Sequence, residues 1–143
     1  MFDEQFEKMR MGDGEFGVRA YLNGFKNISN SKASREHLKI AKGGLRDMGH
    51  WDAFRPINIF APRPVPSVFY YWRKYWGDYD AFSAYCFIIP FSLSPYKIKG
   101  KYWGNILSVL IFLIFIPIVI IQLIFSWNKA SKILKQGALI GEL

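Results

Sequence analysis

The chain has 143 residues, of which 51% are apolar, with a net charge of +8 and one cysteine, Cys86. A single cysteine excludes an intrachain disulfide and a metal site built from several thiolates. The lysines and arginines are scattered among acidic residues. This argues against nucleic-acid binding and favours attraction to anionic lipid headgroups.

The first part of the chain predicts little regular structure. Residues 1–30 are polar and rich in glycine, so we expect a loop with a short helical turn around residues 4–11. Residues 31–42 lack glycine and proline, start at a possible N-cap serine and stop before two glycines, which predicts a short helix. Acidic residues near the start argue against a cleavable transit peptide, because such peptides are poor in acids.

Residues 61–66 contain three alternating prolines. Proline fixes φ and removes a backbone donor, so this segment is expected to form an extended polyproline-II strut. We interpret it as a stiff spacer that lies on a partner protein. The alternative interpretation is a ligand for a proline-binding module.

Residues 68–93 form a segment with eleven aromatic rings. At helical spacing, several of these rings fall on one face. The nearly uncharged part, residues 81–93, is too short to cross a bilayer by itself. We therefore expect an interfacial segment whose rings are covered by partner subunits, with lipid headgroups as the alternative cover.

The most informative feature is the run of 27 uncharged residues between Lys101 and Lys129. Within it, residues 106–125 hold 17 apolar residues in 20, which predicts a transmembrane helix over residues 103–127. Three lysines flank each end, so charge leaves the orientation open. Inside the span, Pro117 and Gln122 predict packing against other helices, because a freed carbonyl and a polar amide both require partners there.

Aromatic rings and lysines at the ends of the span, together with the short basic tail 128–143, predict contacts with the membrane interface. The predicted interface residues are Tyr102, Trp103, Trp127, Lys129 and Lys132. The predicted fold is a mainly α membrane protein with a single transmembrane helix. Residues 1–102 form an extended, aromatic- and proline-rich segment outside the membrane that contains short helices.

No catalytic pattern is recognisable in the sequence. The only histidines, His37 and His50, do not form an HExxH motif, and the glycines at 12, 14 and 17 have no strand before them to make a nucleotide site. The predicted span lacks ionisable residues and so offers no proton relay. We expect no enzymatic activity, no cofactor, no metal site and no small-molecule substrate.

Residues 41–55 carry a distinctive alternation of charges and rings. The stretch Ala-Lys-Gly-Gly-Leu-Arg-Asp is followed, after Met48, by Gly-His-Trp-Asp-Ala-Phe-Arg. It resembles a motif of the beta-subcomplex accessory subunit 3 family of mitochondrial NADH:ubiquinone oxidoreductase (complex I), whose members have one membrane span. The matching positions are Leu45, Arg46, Asp47, Gly49, Asp52, Ala53, Phe54 and Arg55.

This resemblance implies a non-catalytic accessory subunit of the mitochondrial inner membrane that helps to assemble or stabilise the membrane arm of complex I. Charge-assisted pairs and buried rings would dock it on neighbouring subunits, although Arg46 and Asp47 pairing within a local turn is an equal alternative. The predicted docking residues are Arg46, Asp47, Trp51, Asp52, Phe54, Arg55, Trp72 and Trp76. Two other functions stay open: a structural subunit of another inner-membrane complex, such as ATP synthase or another respiratory complex, and a lone membrane anchor or lipid-surface protein.

Overall fold

The computed structural model describes residues 2–7, 9–34, 53–54, 58–93 and 101–140. Within these residues the protein is helical and contains no strand. A 3-10 turn at Glu4–Phe6 is followed by α1 (Gly12–Leu22), α2 (Pro66–Ser92) and α3 (Tyr102–Gln136). The prediction of a mainly α protein is confirmed.

Helix α3 contains the predicted span and extends beyond it. Its 35 residues make a helix about 52 Å long, which exceeds a hydrocarbon layer of about 30 Å. Among the described residues it is the one helix long and apolar enough to cross a membrane. It continues past the predicted end at residue 127, because no glycine or proline interrupts the chain before Gly137, where a φ of 76° ends the helix.

One face of α3 is buried against the rest of the chain and is small or polar for most of its length. Its buried residues are Gly104, Ser108, Val119, Gln122, Ser126, Ala130 and Ile133. The opposite face exposes large apolar side chains such as Leu113 and Ile114. Three polar side chains of α3, Ser108, Gln122 and Ser126, therefore face the rest of the chain, while large apolar groups face outward, an arrangement that suits a bilayer.

Helix α2 bends sharply at Gly77, which has a φ of 83° and a ψ of 172°. This backbone conformation is essentially restricted to glycine. The Phe69 and Tyr85 ring centroids lie 4.2 Å apart. Sixteen residues of straight helix would separate them by about 24 Å, so the two halves of α2 fold back on each other. We call Pro66–Trp76 the first half and Asp78–Ser92 the second half.

The hydrophobic core lies where the first half of α2 meets the C-terminal part of α3. Phe69 is fully buried there, and its ring makes an edge contact with Trp127 at 5.0 Å. Tyr70 and Tyr85 are also buried. Part of the aromatic segment is therefore covered by the chain itself, whereas the sequence led us to expect cover from partner subunits or headgroups.

The proline segment also lies on its own chain. The Arg63 amide donates to the Gln122 carbonyl at 3.3 Å, and the Ser126 hydroxyl donates to the Pro64 carbonyl. Pro66 occupies the first turn of α2, where its missing N–H costs no helical hydrogen bond. These contacts join the segment to α3 of its own chain, whereas the sequence led us to expect a spacer that lies on a partner protein.

The expectation of a loop before residue 30 is wrong for residues 12–22, which form α1. Its glycines suggested a loop, but packing explains them: a methyl group at Gly12 would lie 3.2 Å from Phe6 Cβ. Gly14 similarly lies beside the Tyr71 ring. Of the helix predicted at 31–42, residues 31–34 are non-helical and residues 35–42 lie outside the described residues.

Candidate functional site

Two buried carboxylates meet one lysine at the C-terminal end of α3. The Lys74 ammonium lies 2.8 Å from Glu15 Oε1 and 3.3 Å from Asp3 Oδ2. The Tyr70 hydroxyl donates to Asp3 at 2.7 Å, and the Tyr75 hydroxyl donates to Glu15 at 2.8 Å. Both carboxylate side chains are fully buried. We call these five residues the acid–lysine cluster.

The electrostatics of this cluster keep both acids ionised. Burial raises the pKa of Asp3, but hydrogen bonds from Tyr70, from two backbone amides and from Lys74 outweigh it, and the pKa is lowered. Burial likewise raises the pKa of Glu15, and donors led by Lys74 and Tyr75 lower it below its ordinary value. Burial and the adjacent carboxylates raise the pKa of both tyrosines. The cluster is therefore a structural arrangement of ion pairs and hydrogen bonds, because its two acids stay ionised and its two tyrosines stay neutral near neutral pH.

The same region joins the N-terminal segment to the C-terminal tail. Asp3 Oδ1 accepts a 3.0 Å hydrogen bond from the Leu139 amide, and the Glu4 amide donates to the Leu139 carbonyl at 2.8 Å. The Gln5 side chain donates to the Gly137 carbonyl at 3.2 Å, where it satisfies the end of α3. We call the contacts of residues 3–5 with residues 136–139 the terminal clamp.

A second polar cluster lies beside the span. Gln122 accepts a 3.1 Å hydrogen bond from Arg63 Nε and donates to the Ile59 carbonyl at 2.8 Å. Arg63 also donates to the Ser92 hydroxyl at 3.2 Å. Gln122 thus finds its partners in residues 59 and 63 of its own chain, whereas the sequence suggested another helix. Pro117 lies within a continuous α3 with its side chain on the exposed face, away from these contacts.

Trp127, one of the predicted interface residues, is half-buried between α2 and α3. The Arg73 guanidinium lies 4.0 Å from the centre of its ring, a cation–π contact. Arg73 also pairs with Asp78 at 2.6 Å across the bend of α2. This ring therefore holds the two helices together in addition to any contact with headgroups.

The other predicted interface residues lie on the surface. Tyr102 and Trp103, at the start of α3, are 76% and 78% exposed. Lys129 and Lys132 are exposed on the part of α3 that follows Trp127. Their contact with headgroups stays a prediction.

The predicted docking residues divide into two groups. Arg46, Asp47, Trp51, Asp52 and Arg55 lie outside the described residues. Phe54 is partly buried with its ring 5.6 Å from that of Tyr85, and Trp72 packs between Trp76 and Tyr85. Trp76 is 45% exposed, so of the three described residues it offers the most surface to a partner.

A further exposed apolar surface was missed by the sequence analysis. It consists of large apolar side chains of α1 and of the residues after it, each 39–85% exposed. We call it the α1 apolar patch: Phe16, Tyr21, Leu22, Phe25 and Ile28. The available signal was the presence of five large apolar residues within a stretch that otherwise resembles a polar loop.

The described residues contain no group of three or more His, Cys, Asp or Glu placed to hold a metal ion. The acid–lysine cluster and the Gln122 contacts are satisfied within the chain, so the exposed apolar surfaces are the candidate functional features. Comparison with known proteins found no matching family model, no matching curated protein and no matching solved structure.

Proposed function

We propose that this protein is a non-catalytic accessory subunit of a larger membrane complex, anchored by α3 and docked through apolar surface outside the bilayer. The α1 apolar patch carries this proposal. Tyr21 and Phe25 are each 68% exposed, and Ile28 is 85% exposed. Several large apolar side chains exposed within one short stretch outside the predicted span are typical of an interaction site.

The position of the patch favours protein over lipid hydrocarbon as its cover. Helix α1 is fixed to the first half of α2 through Glu15, Lys74 and Tyr75. That half of α2 packs on α3 at Trp127 and beyond, since Arg73 donates to Ser131 at 2.7 Å. If α3 spans a bilayer, acyl chains cover it only up to about Trp127. The α1 apolar patch is attached beyond that level, so we expect protein to cover it.

The chemistry of the buried acids supports a structural role. A general acid or base needs a pKa near the working pH. Here the pKa values of Asp3 and Glu15 are lowered away from that range by their hydrogen-bond donors. These groups stabilise the extramembrane part of the fold, which presents the docking surface.

We propose more specifically that the larger complex is respiratory complex I, and that the protein belongs to its membrane arm in the mitochondrial inner membrane. This assignment rests on the resemblance of residues 41–55 to the beta-subcomplex accessory subunit 3 family. The partners would be other subunits of the complex, together with membrane lipids. The protein would stabilise the complex by packing between its subunits. It would supply no redox centre and no proton path.

The test is native electrophoresis of gently solubilised mitochondrial membranes, with this protein followed by mass spectrometry and NADH oxidation stained in the same lane. A doubly charged patch variant, Leu22→Asp with Phe25→Asp, should lose co-migration because a desolvated carboxylate at an apolar interface costs several kcal/mol. The matched control, Asn30→Asp with Ser31→Asp, adds the same charge at exposed positions nearby and should co-migrate like the unaltered chain.

Each outcome bears on a different part of the proposal. Co-migration with the NADH-oxidising band supports the complex I assignment. Co-migration with another large complex keeps the subunit role and rejects complex I. Migration only at low mass rejects the subunit role and favours a lone membrane anchor.

A further inference from the structure

We propose that the second half of α2 lies in the hydrocarbon layer beside α3, with its outer face against lipid acyl chains. The chain would then cross the membrane twice, and residues 3 and 139 would lie on the same side. This inference does not depend on which complex, if any, the protein joins.

The terminal clamp indicates on which side of the membrane the N-terminal segment lies. If α3 spans the bilayer, Tyr102 and Gln136 lie on opposite sides of it. The hydrogen bonds of Asp3 and Glu4 with Leu139 place the N-terminal segment on the Gln136 side. A chain that begins on that side and later enters α3 at Tyr102 must already have crossed once.

The path of α2 identifies where this crossing begins. Its first half is held at the Gln136 side, because Arg73 contacts Trp127 and Ser131. Beyond Gly77, the Phe82 ring lies 6.2 Å from that of Trp127, and further along the Pro90 carbonyl accepts from the Ser108 hydroxyl. The second half of α2 therefore runs antiparallel to α3, from its Trp127 end towards its N-terminal end.

The second half of α2 has one face against the protein and one exposed apolar face, as expected for a helix beside α3 in the hydrocarbon layer. The side towards the protein is formed by Ala81, Tyr85, Ile89 and Ser92. The exposed side is formed by Phe82, Cys86, Phe87 and Phe91. No charged residue occurs between Asp80 and Lys97. The exposed side adjoins the apolar surface of α3, since Phe91 lines one shallow depression with Ile106, Val109 and Leu110. This continuity commits the surface to one partner, the hydrocarbon of a bilayer.

Two carbonyls at the end of the half-helix are satisfied without water. A helix end leaves carbonyls without intrahelical partners, which is costly in hydrocarbon. Here the Ser108 hydroxyl donates to the Pro90 carbonyl, and the Ser92 hydroxyl donates to the Ile89 carbonyl at 2.7 Å. The length of residues 81–93 suggested an interfacial location, but a helix of that length can end inside the bilayer when a neighbouring helix supplies such donors.

The sole cysteine, Cys86, permits a test on the unaltered chain in sealed membrane vesicles. A charged, membrane-impermeant maleimide should fail to label Cys86 in intact and in opened vesicles, and should label it once detergent is added. Single-cysteine variants on a Cys86→Ala background then report sidedness. We expect Ser31→Cys and Lys135→Cys to be labelled from one side and Lys101→Cys from the other. Leu113→Cys, on the exposed face of α3, is the reference for a thiol in hydrocarbon.

Protection of Cys86 equal to that of Leu113→Cys, with Ser31→Cys and Lys135→Cys on one side, supports the inference. Labelling of Cys86 as readily as Ser31→Cys in either vesicle preparation overturns it. Labelling of Ser31→Cys and Lys135→Cys from opposite sides also overturns it and leaves a single crossing. The Cys86 measurement requires no substitution, so a variant that fails to fold does not prevent a decision.

Discussion

The backbone amide of Glu4 donates a 2.8 Å hydrogen bond to the carbonyl of Leu139. This contact joins segments near the two ends of the sequence and closes the fold around the C-terminal end of α3. Asp3 reinforces it by accepting from the Leu139 amide while it pairs with Lys74. The stability of that region therefore depends on a few buried polar residues.

Replacing Lys74 with methionine should destabilise the protein by about 3–5 kcal/mol, the usual cost of removing one partner from a buried ion pair. The loss leaves the buried carboxylate of Asp3 without its cation and leaves that of Glu15 paired with Arg19 alone. Unfolding in detergent, followed by tryptophan fluorescence, measures the change. Lys32→Met, at an exposed position, is the control. Equal stability of the two variants would contradict a role for the cluster.

Stability should fall as the pH is lowered from about 5 towards 3. The pKa values of Asp3 and Glu15 in the folded protein lie below their ordinary values of 3.8 and 4.5. The unfolded chain therefore binds protons first, so the stabilisation is fully present above the ordinary values and is lost as the pH falls through the lowered ones. Unfolding measured across this range should show a weaker pH dependence for Asp3→Asn with Glu15→Gln. An unchanged slope in that double variant would assign the acid sensitivity to other groups.

Replacing Phe69 with alanine should cost about 3–5 kcal/mol, because it opens a cavity between α2 and α3. The ring is fully buried and contacts Tyr85 and Trp127. Phe87→Ala makes the same chemical change at a side chain that is 76% exposed, and it should have little effect on the free energy of unfolding. Comparison of the two midpoints in one detergent tests the packing, and similar losses would argue against this core.

Replacing Gln122 with leucine should destabilise the protein by about 1–2 kcal/mol, because the buried amide of Gln122 and its partly buried partners lose their hydrogen bonds. Those partners are Arg63 Nε and the Ile59 carbonyl. Ile121→Leu, on the exposed side of α3, preserves volume and should be nearly neutral. Thermal unfolding in detergent and proteolysis near the proline segment are the measurements. If the Gln122→Leu protein were as stable as the control, the contacts of the proline segment with α3 would not contribute to stability.

Replacing Gly77 with alanine should weaken the bend of α2 by about 1–3 kcal/mol through backbone strain alone. No atom lies within 4 Å of a methyl group added there, so a steric clash does not contribute. Asp80→Ala, at an exposed position past the bend, is the control. Fluorescence of Trp76, next to the bend, together with unfolding midpoints, would detect the change. No loss of stability would mean that the bend does not need glycine.

The sequence was sufficient to predict α3 and the need of Gln122 for a hydrogen-bond partner, because both depend on a short window of the chain. It did not reach the partner itself, since Arg63 lies 59 residues away in a segment interpreted as a spacer. It also missed α1, whose glycines disfavour an isolated helix but permit close packing against Phe6 and Tyr71. The stretch 41–55 that carries the resemblance lies outside the described residues except for residues 53 and 54, so the resemblance is left to experiment.

The apolar run at residues 106–125 is enough to predict a helix that can enter hydrocarbon, because transfer of a helix into lipid is a sum over its own side chains. Which residues meet across the fold is known only from the three-dimensional contacts. The pairing of Lys74 with Asp3 and Glu15, and the return of α2 along α3, depend on contacts between distant segments. Such contacts form only when the chain's path brings buried charges and rings together, and no local pattern encodes that path.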